Sequence, residues 1–422
     1  LTLASLVCAA PAVAAPPSSA RPAVTQGAVF LVGGELHVGD GQVIRDCVVE
    51  IVDGRFGRIR QGSRVPLPAG ARTIDVAGKV LTPGLIAADS SLGLVEIDLE
   101  PSTRDDGVEA AGPVRAAHDA ALAVHEDSSL IQVQAIEGVT TAAVAPSGGL
   151  LSGQVAWIDL LHGDPELVAR ARVAIDGSLG QAYGGSRSAT IAKLTEVLED
   201  ARLYPGRRAA YERGDSRALA AHHLDLEALQ PLLRGQAVLT LSANRASDIR
   251  AALELARRFG IKIAIVGGAE AWKVADRLAA AKVPVILQPS HNLPGSLDSL
   301  GARLDGAALL ERAGVEVVIA TLGEAHNLRN ITQEAGLAVA HGLPWEQALS
   351  AVTRNVARAY GLERDYGTVA TGKVANLVVW SGDPFELSTA AEQVFIRGRP
   401  IPMVSRQTLL RERYRDLARS PR

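Results

Sequence analysis

The 422-residue chain has few cysteines: Cys8 and Cys47 are its two thiols. Cys8 lies in residues 1–24, an apolar opening run followed by a proline- and serine-rich stretch, which is predicted to be a signal peptide remnant with its linker. Removal of that segment leaves Cys47 without a partner for an internal disulfide. We therefore expect an exported protein, periplasmic or secreted, whose fold is not braced by disulfide bonds.

Aromatic residues and net charge are also scarce. Phe, Trp and Tyr make up 4% of the chain and the formal charge is -3, which argues against an aromatic or polybasic surface for nucleic acid. No segment after residue 24 reaches the roughly 18 uninterrupted apolar residues that a membrane-spanning helix requires. Hydrophobic residues make up 47%, so we expect a globular protein with no nucleic-acid partner and no membrane span.

Two patterns of hydrophobic residues divide the chain. Between residues 28 and 76, short β-prone runs alternate with Gly and Asp turns, which predicts the strands of a small sheet or sandwich. Between residues 237 and 320, four apolar strand runs alternate with three helical segments, a cadence typical of a (β/α)8 barrel. The β pattern returns at residues 375–380 and 393–397, before a last helical segment.

The resulting prediction is an α/β fold with a TIM-type barrel over residues 81–364. Residues 25–80 and 365–422 are predicted to form one small, discontinuous β-sandwich from both chain ends, the second part also carrying the terminal helix. This arrangement accounts for β patterns on both sides of an alternating α/β segment.

Several motifs carry a family resemblance. Residues 78–86 read Gly-Lys-Val-Leu-Thr-Pro-Gly-Leu-Ile, and residues 372–380 read Gly-Lys-Val-Ala-Asn-Leu-Val-Val-Trp. With residues 138–141, 244–249, 267–272 and 353–357, they resemble the amidohydrolase superfamily in its imidazolonepropionase-like and prolidase-like branch. The resemblance covers about residues 28–415 and implies a metal-dependent barrel hydrolase acting on C–N bonds, with its metal centre at the carboxyl ends of the strands.

The resemblance also implies metal ligands that this sequence mostly lacks. The family holds its metals through a His-x-His after the first strand, a carboxylated Lys on the fourth, single His residues after the fifth and sixth, and an Asp after the eighth. The chain's lysine between the first and fifth strands, Lys193, falls in a helical segment. The matching positions carry a carboxylate, three hydroxyls and a glycine: Asp89, Ser91, Ser242, Gly267 and Thr321.

The absence of these ligands matters because hydrolysis in the family depends on the metal. Hydrolysis in the family uses a hydroxide that the metal generates by lowering the pKa of bound water from about 15.7 towards 7. Zinc-like ions are held by His, Cys and carboxylates, and a neutral hydroxyl is a weak ligand for them. We therefore predict a degenerate metal site and no bound metal or other cofactor.

Five polar residues remain candidates for a replacement site at the barrel mouth. Asp89, His291 and His326 follow the first, seventh and eighth strands, whose carboxyl ends face one cavity, so they could hold one zinc ion or act as acid and base. The alternative is that Asp89 is hydrogen-bonded inside its loop and both histidines lie on the surface. Asn244 and Arg245 could bind a carboxylate or amide, or belong to an ion pair within their loop.

Two functions follow from these features. The first is a non-catalytic paralogue that forms a homo- or hetero-oligomer with an active amidohydrolase as its partner or stabilising subunit, or that binds a peptide-like small molecule. The second is a hydrolase of amide, peptide-like or cyclic-amide C–N bonds with an atypical mononuclear or metal-free site, with zinc only in the mononuclear case. The sequence leaves open whether the chain is an enzyme.

Overall fold

The computed structural model describes residues 27–62, 64–107, 112–291 and 293–415. The predicted signal peptide at residues 1–24 lies outside the described residues. The N-terminal segment contains β1 (Val29–Val32), β2 (Glu35–His37), β3 (Val43–Ile44), β4 (Cys47–Val52), β5 (Arg55–Gln61), β6 (Arg72–Asp75) and β7 (Val80–Pro83).

The central segment forms the barrel. Its first half contains β8 (Leu85–Ser90), α1 (Ser129–Ala135), β9 (Val139–Val144), β10 (Leu151–Asp159), β11 (Val168–Ser178), α2 (Arg187–Glu212), α3 (His223–Ala228) and α4 (Gln230–Leu233). Its second half contains β12 (Val238–Ala243), α5 (Ala246–Phe259), β13 (Lys262–Gly267), α6 (Ala275–Ala281), β14 (Val285–Leu287), α7 (Gly306–Arg312), β15 (Val317–Ile319), α8 (Ile331–Ala340), α9 (Trp345–Ala351) and α10 (Arg354–Ala359).

The C-terminal segment returns to strands and completes a sheet that the N-terminal segment begins. It contains β16 (Leu377–Trp380), β17 (Ala391–Ile396), β18 (Arg399–Pro400) and α11 (Arg406–Arg415). One sheet has the order β18-β17-β16-β7-β2-β3, and a second has the order β5-β4-β1-β6. Strands from both ends of the described chain therefore share a sheet, as the sequence pattern predicts.

The third sheet runs in the order β15-β14-β13-β12-β11-β10-β9-β8 and curves into a nearly closed barrel. A bridge between Ser90 and Glu324 joins its two ends. The predicted TIM-type barrel is confirmed, with one difference in direction. β10 runs antiparallel to both β9 and β11, because residues 160–167 return the chain directly from β10 into β11 without a helical crossover.

Local sequence explains several element boundaries. Asp53 and Gly54 connect β4 to β5 with φ angles of 49° and 76°, the left-handed conformation of a two-residue hairpin turn. Helix α5 ends at Gly260, whose φ of 68° forms a left-handed C-cap after a last turn containing Arg257 and Arg258. These caps fix where β5 and β13 begin.

The inner face of the barrel combines β-branched residues with alanines and is filled by aromatic rings. Alanine occupies one position on each of four strands and one directly after β15: Ala88, Ala143, Ala174, Ala264 and Ala320. The fully buried Trp157 of β10 packs against Tyr360 and Tyr366, with ring centroids 5.8 and 5.4 Å away. The aromatic side chains therefore occupy space that larger strand residues usually fill in such barrels.

A buried polar network joins the barrel to the C-terminal strands. Asp159, at the end of β10, is fully buried and accepts hydrogen bonds from Arg397 Nε at 2.6 Å and Tyr366 Oη at 3.1 Å. Asn376 Nδ2 and Thr141 Oγ1 donate to its other oxygen at 2.9 and 3.2 Å. Cys47 is a buried free thiol, and burial raises its pKa to about 11. No helix in the described ranges is long and apolar enough to cross a bilayer.

Candidate functional site

The candidate site lies at the barrel mouth, where the carboxyl ends of the parallel strands meet. Asp89 lies near the end of β8, Asp176 near the end of β11, and Ser242 near the end of β12. The register of β11 and β12 pairs Asp176 with Thr240 and Ser178 with Ser242. These strand ends bring the two carboxylates within electrostatic range of each other.

Most of the Asp89 side chain is buried, and a minor part of it is accessible to solvent. Burial raises the pKa of Asp89 to about 6, an effect that a hydrogen bond with the backbone of Gly323 partly opposes. No described cationic side chain forms an ion pair with this carboxyl group. Asp89 is therefore a group that changes its protonation near neutral pH.

Asp176 is the second carboxyl group of the pair. Burial raises the pKa of Asp176 to about 7, and the negative charge of Asp89 contributes to the shift. The hydroxyl of Thr240 donates to Asp176 Oδ1 at 2.7 Å, and the hydroxyl of Ser152 also supplies a hydrogen bond. The charge of Asp89 therefore adds to the effect of burial and disfavours the ionised form of Asp176.

Tyr360 closes the space inside the barrel below the pair. Its hydroxyl donates to the carbonyl oxygen of Ala88, the residue before Asp89. Burial raises the pKa of Tyr360 well above its ordinary value, and the charges of Asp89 and Asp176 act in the same direction. The phenol therefore stays protonated and anchors the end of β8 to the segment that follows α10.

The positions matching the family's metal ligands do not form a metal site. Ser91 Oγ donates to the carbonyl of Gly323 at 3.0 Å, and Ser242 is exposed. Gly267 has no side chain, and a Cβ there would lie 2.6 Å from Asn244 Oδ1. Thr321 is buried, and its Oγ1 has no hydrogen-bond partner among the described residues.

The donor set therefore does not fit the family's metal centre. Asp89 is the one strong donor among those five positions, and Lys193 lies on α2 with its Nζ 3.1 Å from Glu196. In the described ranges no group of three or more His, Cys, Asp or Glu side chains is arranged to hold a metal ion. The available hydroxyls are weak ligands for zinc-like ions.

The two candidate histidines contact groups other than the carboxylate pair. His291 is exposed after β14. His326 Nε2 lies 3.1 Å from the carbonyl oxygen of Glu96, and its Nδ1 lies 3.7 Å from Asp98. No described hydrogen bond or ion pair joins either histidine to Asp89, so these contacts do not assemble the three residues into one site.

Asn244 and Arg245 connect the loop after β12 to neighbouring loops. Asn244 Oδ1 accepts a hydrogen bond from the amide of Ala269 at 3.3 Å. Arg245 Nε forms an ion pair with Asp298 at 2.9 Å, and Asp298 also pairs with Arg187. Arg245 is thus held by Asp298 of the loop after β14, an ion pair between two loops and not one within its own loop.

Sequence reasoning missed Asp176. On the fourth strand it sought a lysine, whereas the strand presents an aspartate there. The available signal was the run Val173-Ala174-Ile175-Asp176, in which a carboxylate follows an apolar stretch near the end of a barrel strand. The long hairpin of β10 and β11 concealed the strand's position in the barrel.

Comparison with known proteins assigns the fold and the family. The model of the amidohydrolase family matches residues 256–401. Imidazolonepropionase from Aromatoleum aromaticum is 31% identical over 371 residues, which cover 82% of this chain and 88% of that protein. Amidohydrolase tasK from Hapsidospora irregularis is 27% identical over 373 residues, but the match spans 76% of this chain and only 37% of the tasK length.

Solved structures share the architecture. An amidohydrolase from Thermotoga maritima superposes with a TM-score of 0.80 at 24% identity, covering 89% of this chain and 99% of that one. A putative prolidase from Bifidobacterium longum has a TM-score of 0.53 at 18% identity, with 93% and 99% coverage. These structural matches show the fold, and the imidazolonepropionase match establishes that the chain belongs to the amidohydrolase superfamily, in its imidazolonepropionase-like branch.

Proposed function

We propose that this chain is a non-catalytic member of the superfamily that associates with an active amidohydrolase and stabilises it. The observation that carries the proposal is the donor set at the mouth: one carboxylate, three hydroxyls and a glycine occupy the positions that match the metal ligands. Ser91 is also engaged by the carbonyl of Gly323. A site of this composition lacks the groups that would hold a binuclear centre.

Asp176, the second carboxylate at the mouth, is held by protein groups. The hydroxyl of Thr240 donates to its Oδ1 at 2.7 Å, and the hydroxyl of Ser152 supplies a further hydrogen bond. Burial raises the pKa values of Asp89 and Asp176 to about 6 and about 7, and the charge of Asp89 adds to the shift at Asp176. The carboxylate of Asp176 therefore has its hydrogen-bond partners within the protein.

The scaffold around the altered site remains well packed. The inner cluster is filled by Trp157 and Tyr360, and the junction at Asp159 is fully hydrogen-bonded. Such a barrel retains a rigid surface for association, and a stable interface requires about 1,600 Å² of buried surface in total. We place the complex in the periplasm or outside the cell, in keeping with the leader predicted at residues 1–24.

Purification from the native compartment tests the proposal. Native mass spectrometry of the tagged chain should show a complex with a second amidohydrolase that contains the His-x-His motif after its first strand. The active subunit, isolated without this chain, should lose activity faster on warming than the complex does. Recovery of this chain solely as a monomer or homo-oligomer, with amidase activity that Asp89→Asn abolishes, would contradict the proposal.

One observation favours a second function, hydrolysis of amide, peptide-like or cyclic-amide C–N bonds without a metal. The pKa values of Asp89 and Asp176, about 6 and about 7, leave one proton on the pair over a range near neutral pH. The ionised carboxylate could then take a proton from water as the water attacks the carbonyl carbon. The protonated carboxyl group could donate its proton to the leaving nitrogen, which balances the reaction.

The second function predicts a particular dependence of activity on pH. Activity against a panel of dipeptides and cyclic amides should follow a bell-shaped pH profile with limits near pH 6 and pH 7, and either Asp89→Asn or Asp176→Asn should abolish it. Asp276→Asn, at an exposed carboxylate on α6, is the matched control and should retain full activity. A panel without turnover, together with recovery of the heteromeric complex, would leave the non-catalytic role.

A further inference from the structure

A wide groove crosses the end of the barrel opposite the carboxylate pair. Its lining includes the residues at which parallel strands begin, among them Val238, Lys262 and Val317, together with the segment that follows α10. We call it the basal groove. Its volume of about 1510 Å³ exceeds the roughly 300–1,000 Å³ of a typical small-molecule pocket, so it can accommodate an extended ligand.

The basal groove is strongly basic although the chain as a whole carries a formal charge of -3. Nine Arg or Lys residues and four Glu residues occur among its described lining. Arg358 neutralises the most buried of the acids, Glu316, through an ion pair of 2.9 Å. Five of the cations form no ion pair with any described residue: Arg250, Lys262, Arg277, Lys282 and Arg354. Glu311 and Glu363 of the lining likewise form no ion pair with a described residue, and Arg354 interacts with Glu316. Cations remain in excess, which creates a positive potential in the groove.

Asn355 and Arg354 place two polar atoms in the wall behind the basal groove. Asn355 has a relative exposure of 6%, and its Nδ2 donates to the carbonyl of Val317 at 2.8 Å. Its Oδ1 and the Nε of Arg354 are buried and have no hydrogen-bond partner among the described residues. Because these atoms are covered by protein, the solvent-facing cations are the groups that can recognise a ligand.

We infer that the basal groove binds an acidic peptide segment of a partner protein. Carboxylates of the peptide would pair with the solvent-facing cations of the groove that form no ion pair, Arg250, Lys262, Arg277 and Lys282. The groove lining contains a single aromatic residue, Tyr360, and its ring is buried against Trp157. Without aromatic faces on which bases could stack, the groove suits peptide carboxylates better than single-stranded nucleic acid.

This inference is independent of the chemistry at the barrel mouth. The groove lies at the amino-terminal ends of the strands, whereas Asp89 and Asp176 lie at the carboxyl-terminal ends. The groove could be the contact for an amidohydrolase partner or for another protein with an acidic segment. A failure of the proposed heteromeric complex would therefore leave the peptide-binding result unaffected, and the reverse also holds.

Fluorescence anisotropy with labelled hexaglutamate, about 20 Å long when extended, tests the inference on the full chain. We expect saturable binding that weakens as salt increases, because the attraction is between charges in contact with solvent. Hexaglutamine should bind at least tenfold more weakly. The double variant Arg277→Glu/Lys282→Glu should weaken hexaglutamate binding at least tenfold.

Two further variants separate a site from a general charge effect. Arg64→Glu/Arg72→Glu makes the same change in net charge at two exposed positions, one in the connection between β5 and β6 and one in β6, and should leave the affinity within twofold of wild type. Asn355→Asp puts a negative charge at the buried acceptor and should weaken binding at least fivefold while circular dichroism shows a folded protein.

Four outcomes would overturn the inference. Equal losses in the two double variants would show that net charge alone attracts the peptide. Equal binding of hexaglutamine would remove the role of carboxylates. Tighter binding of a labelled single-stranded hexanucleotide, or displacement of hexaglutamate by an equal concentration of inorganic phosphate, would show that the groove selects a different anion.

Discussion

Asp89 and Asp176 link the protonation of the barrel mouth to the stability of the fold. A carboxyl group whose pKa is higher in the folded than in the unfolded chain binds more protons when folded, so its contribution to stability is largest at acid pH. That contribution decreases as pH rises through about 6 for Asp89 and about 7 for Asp176. At alkaline pH the folded protein therefore contains two buried charges that repel each other.

The substitution Asp89→Asn should therefore stabilise the protein in a pH-dependent way. The gain in free energy of unfolding should be close to zero at pH 4 and on the order of 2 kcal/mol at pH 8, because the amide cannot ionise. Urea unfolding at both pH values measures it. Equal stability changes at pH 4 and pH 8 would show that the carboxyl group has an ordinary pKa.

The buried carboxylate of Asp159 should respond in the opposite way. Asp159→Asn leaves the guanidinium of Arg397 without its counter-charge, and breaking a buried pair by removing one partner costs about 3 kcal/mol. The control is Asp164→Asn, since Asp164 pairs at 3.3 Å with Arg399, whose side chain is 62% exposed, and should cost less than about 1 kcal/mol. Equal losses in urea unfolding at pH 7 would argue against a special role for the buried network.

At the residue scale, the sequence predicts which ligand types are present and does not predict which side chains meet. Asp89 could be placed at the mouth because the motif at residues 78–86 aligns with a known strand end. Asp176 could not, because its neighbours in space come from β8, β10 and β12, and the register between strands is a tertiary property. The loop contacts of Arg245 and His326 likewise depend on chain segments about 50 and 230 residues away.

The connection between β7 and β8 shows how one glycine determines an element boundary. The sequence predicts a single strand over residues 80–86, whereas the structure divides it at Gly84 into a strand of the six-stranded sheet and a strand of the barrel. A Cβ at Gly84 would lie 2.0 Å from Thr140 Oγ1 and 2.7 Å from Thr140 Cβ. The chain can pass this close to β9 only without a side chain.

Gly84→Ala should therefore destabilise the protein by about 2 kcal/mol or more, since the clash must be relieved by moving β9 in the core. Gly306→Ala is the matched control: no atom lies within 4 Å of a Cβ there, and the residue begins α7. The control should be neutral or slightly stabilising because alanine favours a helix over glycine. Thermal unfolding of the two variants compares them directly, and similar melting temperatures would contradict the packing argument.

Most elements could be predicted from hydrophobic periodicity, because the patterns between residues 237 and 320 alternate cleanly. The direction of β10 could not, since a buried apolar run has the same composition in parallel and antiparallel pairing. Hydrophobic periodicity predicts one helix over residues 344–359. The structure has two helices there, α9 and α10, separated at Thr353, whose Oγ1 donates to the carbonyl of Leu349. A local side-chain hydrogen bond of this kind cannot be recognised from the spacing of hydrophobic residues.

For the whole molecule, the side chains at the barrel mouth predict that the protein neither binds metal ions tightly nor is stabilised by them. Desalted protein incubated with zinc or manganese should retain well under one metal ion per chain, as measured by elemental analysis. A chelator should leave the melting temperature unchanged, because only a bound ligand stabilises the folded state by mass action. Two tightly bound ions per chain, lost in Asp89→Asn, would contradict the donor-set argument.

The pairing of β7 with β16 joins Pro83 to Leu377, residues about 300 positions apart in the chain. At the roughly 5–20 residues per second at which ribosomes extend a chain, β7 exists for about 15–60 s before its partner strand has been synthesised. During that interval the nascent protein presents an open strand edge, which can pair with other chains. A chaperone that covers this edge during synthesis would be expected to raise the yield of folded protein, whereas a change confined to the barrel mouth would leave that requirement unaltered.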